Sequence, residues 1–88
     1  MIDHIEKKKL TLQIDIRLSE IKKLTNEIKR KYKLLSEYIS EQRESQKDSK
    51  EEVKRRIDEY CSLFSKYSDR RKVIFKEIAK LTNKKYGN

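Results

Sequence analysis

The sequence predicts an all-α protein: a two-helix antiparallel coiled-coil hairpin, completed by oligomerisation. Three observations carry this. No glycine or proline interrupts residues 1–86, and apolar residues recur at steps of three and four in both halves. Between the halves, Ser40 to Ser49 is polar throughout and contributes to neither stripe.

The first helix is predicted from about residue 3 to about residue 40. Asp3 and Glu6 have the spacing of a capping box. Behind them Leu10, Ile14, Leu18, Ile21, Leu24, Ile28, Tyr32, Leu35 and Ile39 line one face of a helix. Leu10, Leu12, Ile14, Ile16 and Leu18 also alternate as a half-buried strand would. A lone strand has no sheet to join, so the segment is read as helix. Leu12 and Ile16 then fall on another face, either as two exposed aliphatics or as a contact with another chain.

A polar turn is predicted over about 41–48, and the second helix over about 49–85. Ser49-Lys-Glu-Glu52 is a capping-box pattern in which Ser49 accepts from the Glu52 N–H while the Glu52 side chain reaches back. The repeat that follows is regular: Val53, Ile57, Tyr60, Phe64, Tyr67, Arg71, Ile74, Ile78 and Leu81 form a heptad seam. Arg71 interrupts it. A charge there can fix register or partner choice, or its stem can lie along the seam with the guanidinium in solvent. Gly87 stands where a helix C-cap belongs. An unbroken rod of about 120 Å, at 1.5 Å per residue, is the alternative to the hairpin. The loss of the stripe between Ser40 and Glu52 favours the hairpin.

Composition narrows the function classes. The 88 residues fit one domain, 44% of them charged and 34% hydrophobic, a balance that suits a helical hairpin better than a many-layered globule with an enclosed pocket. No cofactor or small-molecule substrate is expected. His4 and Cys61 lack the neighbours of a metal-ligand set, so neither a metal site nor a catalytic residue is expected. Cys61 is read as a small packing residue beside the seam. A compact helical enzyme of the chorismate-mutase size class would need several arginines inside a bundle to grip a dianion. Only Arg17 and Arg71 lie near the stripes. No apolar run approaches a membrane span, and no signal-peptide core follows Lys7, Lys8 and Lys9, so a soluble intracellular protein with no membrane partner is expected.

The net charge of +9 is unevenly spread. From Lys66 to Tyr86 eight basic residues face only Asp69 and Glu77, a local net of +6. Lys72, Lys76, Lys80 and Lys84 stand four apart and form one ridge. Such a ridge can neutralise phosphates without reading sequence, or it can be a solvated face. In a hairpin it lies near Lys7, Lys8 and Lys9, which makes the open end basic and leaves the turn end comparatively acidic.

The run Val53-Lys-Arg-Arg-Ile-Asp-Glu-Tyr60-Cys61-Ser-Leu-Phe64-Ser-Lys66, with Asp69-Arg70-Arg71-Lys72 after it, resembles the carboxy-terminal coiled-coil region of the meiotic homologous-pairing (TBP-interacting-protein) family. The likeness spans residues 50–72, with phenylalanine at Phe64 where the family has tryptophan. It implies pairing with a second coiled-coil protein, assistance to recombinase-driven strand exchange and a nuclear location. Duplex recognition by the family's winged-helix domain is not implied by a likeness confined to the coiled coil.

The function expected is a non-enzymatic coiled-coil interaction or adaptor module within a nucleic-acid transaction complex. The alternatives are a direct, sequence-independent nucleic-acid binder and a small regulatory protein that occludes a partner. A homo- or hetero-oligomer is expected through Ile57, Tyr60, Phe64, Tyr67, Arg71, Ile74 and Ile78 of the seam, with Leu12 and Ile16 as further interface residues. Nucleic acid is the candidate ligand of Lys72, Lys76, Lys80 and Lys84.

Overall fold

Asp3 opens the first helix: its backbone is extended and its carboxylate accepts the Glu6 N–H at 2.8 Å. In the computed structural model, which describes residues 3–87, α1 (His4–Ser45) runs 42 residues, five beyond the end expected near Ser40. Glu41, Gln42, Arg43 and Glu44 are all strong helix formers, so polarity alone does not stop the helix. It stops at Gln46, which turns left-handed (φ 44°, ψ 44°) and donates its N–H to the Gln42 carbonyl at 2.9 Å. The turn therefore occupies 46–49 rather than 41–48.

The second helix, α2 (Lys50–Tyr86), begins as the capping pattern predicts, with the Ser49 hydroxyl accepting the Glu52 N–H at 3.2 Å. The reciprocal half of the box is replaced: the Glu52 carboxylate bonds the guanidiniums of Arg55 and Arg56. At the far end Gly87 is the cap, in an extended rather than a left-handed conformation (φ −91°). Its N–H donates to the Asn83 carbonyl at 2.6 Å, and a Cβ at this position would collide with that oxygen. Close approach, not positive φ, is what favours glycine here.

The two helices fold back on each other as an antiparallel hairpin 65 × 16 × 12 Å in extent. Contacts between them fix the register. Tyr32 stacks on Phe64 with centroids 5.3 Å apart, Arg70 bonds Glu20 at 3.2 Å, and Arg17 bonds Glu77 at 2.8 Å. In α2 all nine seam positions from Val53 to Leu81 are half-buried or buried, and Ile74 is 0% exposed.

The α1 side of the seam differs from expectation. Leu10, Ile14, Ile21, Leu24, Ile28 and Leu35 lie in it, but Leu18 is 48% and Tyr32 64% exposed, while Arg17, Lys31 and Tyr38 take the adjacent places. The strict seven-residue repeat of α2 is the cause: to stay against it, α1 must present every 3.5 residues, and a stripe of longer period drifts off the contact. The stems of Arg17 and Lys31 can occupy such positions with their charged heads at the edge.

Candidate interaction surfaces

Five surfaces follow from this register: the turn, the basic back of α2, the back of α1 and the two flanks of the seam. At the turn, Asp48 gathers three bonds. Its Oδ2 accepts the Tyr38 hydroxyl at 2.7 Å and the Gln42 amide at 3.3 Å, and its own N–H donates to Gln42 Oε1 at 3.0 Å. Arg56 lies over the Tyr38 ring, 5.1 Å from its centroid, and Lys47 pairs with Glu41 at 3.1 Å. Desolvation, then the hydrogen bond to Asp48, pushes the Tyr38 hydroxyl up to about 12. Hydrogen bonds from Arg55 and Arg56 hold the Glu52 carboxyl below its usual range. A groove of about 580 Å³ opens beside this turn, lined in part by Gln46, Lys50, Val53 and Ile57.

The ridge is different in kind. Lys72, Lys76, Lys80 and Lys84 are all exposed, and none has a carboxylate within ion-pair distance among the described residues. Arg17, Arg30, Arg55, Arg56 and Arg70 are each paired within the chain. The ridge, with exposed Lys7, Lys8 and Lys9 at the same end, is thus the largest group of uncompensated cations described.

The expected interface residues are dispersed. Ile57, Tyr60, Phe64, Tyr67, Arg71 and Ile78 are half-buried against α1, and Ile74 is wholly enclosed by its own chain, so it has no surface left for another. Leu12 and Ile16, 61% and 52% exposed, lie with Ile5 on the back of α1, away from the seam. Arg71 does not project freely into solvent: its Nε is buried without a hydrogen-bond partner, and its guanidinium lies 6.0 Å from the Phe75 ring centroid. Cys61 is exposed rather than packed. No grouping of three metal-ligating side chains occurs among the described residues.

The sequence reading missed the Tyr38–Gln42–Asp48 network and the exposed pair Leu18 and Phe75. Tyr38 and Gln42 are four apart and Asp48 immediately precedes the Ser49 cap, a spacing that could have shown a side-chain clasp across the turn. No family model, curated protein or solved structure matches the chain. No helix among the described residues is long and apolar enough to cross a membrane.

Proposed function

We propose that this chain is a non-enzymatic coiled-coil interaction module that serves as an adaptor in a nucleic-acid transaction complex. One observation carries the reading: among the described residues nine large hydrophobic side chains stand exposed and three are buried. A hairpin so balanced gains its stability and its use from what covers it. Leu12 and Ile16 are the contact with a protein partner on the back of α1. Immobilised full-length chain is expected to retain a partner from its host, and the Leu12→Lys, Ile16→Lys variant, whose changes lie off the seam, to lose it. Equal retention by both would remove these residues from the interface.

The bare ridge supports a second reading, direct binding of phosphate backbones. Changing Lys72, Lys76, Lys80 and Lys84 to glutamine is expected to weaken binding to DNA or RNA of any sequence. Each lost contact lowers the slope of log K against log salt by about 0.9 on duplex DNA. Helicity should hold, since glutamine is nearly as good a helix former as lysine and all four side chains are exposed. Anisotropy over a salt series reads the result. An unchanged slope makes the ridge a solvated face and ends this second reading.

A further inference from the structure

Written as a seven-residue register, the seam of α2 has Ile57, Phe64, Arg71 and Ile78 at a and Val53, Tyr60, Tyr67, Ile74 and Leu81 at d. That of α1 has Ile14, Ile21, Ile28 and Leu35 at a. In an antiparallel pair the g positions of both helices share one flank and the e positions share the other. The contacts agree: Glu20 and Arg70 are both g, while Tyr32 (e) stacks on Phe64 (a).

The two flanks differ sharply in charge. Of the ten g positions from Gln13 to Lys84, seven are charged, whereas of the ten e positions from Thr11 to Thr82 only Lys54 is. The e flank carries Leu18, Tyr32 and Phe75, 48%, 64% and 49% exposed, over a row of half-buried a-position residues. The displaced stripe of α1 now has a physical meaning. Ile14, Leu18, Ile21, Ile28, Tyr32 and Leu35 are centred between a and e, so half of that stripe looks past α2 toward the uncharged flank.

We infer that this flank is the contact with a second copy of the chain, packed antiparallel as a four-helix bundle. The inference deepens the interaction-module reading by naming one partner. Charge selects the second copy and its direction. Residues 37–59 around the turn hold six basic and eight acidic residues, a net of −2, and the rest of the chain a net of +11. Antiparallel stacking sets each acidic turn against the other copy's basic open end, while parallel stacking would bring the two basic ends together.

Side-chain size selects the register. Leu18 and Phe75 lie at one level of the hairpin, Tyr32 and Cys61 two heptads further along, and the small residues Thr25 and Ser68 midway. A two-fold axis across the flank at Thr25 and Ser68 places Leu18 on the partner copy's tyrosine and Phe75 beside its cysteine. The flank runs along the 65 Å length of the hairpin, a span on which a standard interface of roughly 800 Å² per partner fits.

Two measurements on the full chain test this. Sedimentation should find a two-copy species at micromolar concentration, and the Leu18→Glu, Phe75→Glu variant should weaken it by about 100-fold or more. Because that variant could also lose helicity, the second test keeps the apolar flank. In a Cys61→Ser background, Ser68→Cys at the axis should give a covalent dimer on mild oxidation. Asp69→Cys, one residue on and facing away, should not. A monomer throughout the micromolar range, or equal cross-linking from 68 and 69, overturns the inference. Nucleic-acid binding or partner capture by a monomeric chain would leave the interaction-module reading standing. A correctly linked dimer that captures no partner and binds no nucleic acid would remove that reading and leave the bundle.

Discussion

The turn end and the open end of the hairpin are closed by different physics. Near the turn the chain is tied by polar groups: Asp48 holds Tyr38 and Gln42, Arg56 of α2 covers the Tyr38 ring of α1, and Glu52 pairs with Arg55 and Arg56 within α2. Towards the open end the helices are held by burial of Ile74 and Leu81 and by the cross-helix pairs Arg17–Glu77 and Arg70–Glu20, while the lysines outside are unmatched. The contrast separates stability from availability. Charge satisfied within the chain at the turn shapes that end, and charge left bare at the open end is free to act on something else.

The comparison breaks most readily at Ile74. As the one fully enclosed side chain described, its change to alanine should cost about 3 kcal/mol or more and unfold the open half, seen as a drop in the urea midpoint by circular dichroism. A loss below about 1 kcal/mol would mean that burial there is not what closes the hairpin.

A smaller effect sharpens the polar end. Below pH 10 the Tyr38–Asp48 contact contributes fully. Above it the unfolded chain releases the tyrosine proton while the folded chain, with Tyr38 pushed up to about 12, keeps it. Stability should therefore fall as the pH climbs from 10 to about 12, and Tyr38→Phe should flatten that fall. An identical alkaline titration in both proteins would deny the clasp any energetic part.

The smallest expected change is a gain. Gln46 sits at φ 44°, where glycine has no Cβ penalty, so Gln46→Gly should stabilise the hairpin by about 0.5–1 kcal/mol, read from the same urea midpoint. A loss instead would show that the glutamine side chain contributes to the turn.

How far the sequence revealed this molecule depended on whether one helix alone set the pattern. The α2 seam was legible residue by residue, because its heptads are regular and Ser49 marks their start. The α1 seam was not. Its apolar residues serve two directions, and only the register imposed by α2 shows that Arg17 and Lys31 enter the seam while Leu18 and Tyr32 sit at its exposed edge. The turn was misplaced for a related reason. Polar residues from Glu41 to Ser45 continue a helix as well as apolar ones do, and the stop is a left-handed glutamine, a residue that carries no stop signal. The lysine ridge was fully legible as an exposed face, since four-residue spacing needs no partner to define it.

The clasp at the turn also sets an order of events. Tyr38 and Asp48 are 10 residues apart, Glu20 and Arg70 are 50 apart, and Arg17 and Glu77 are 60 apart. Closing a loop of about ten residues takes only tens of nanoseconds and has a small entropic cost. Once it is closed, each next pair along the seam is already near its partner. The chain can thus zip shut from the turn outward, its speed set by local contacts rather than by a search for distant ones. The mutually repelling lysines at the open end come together last, after most of the seam is in place.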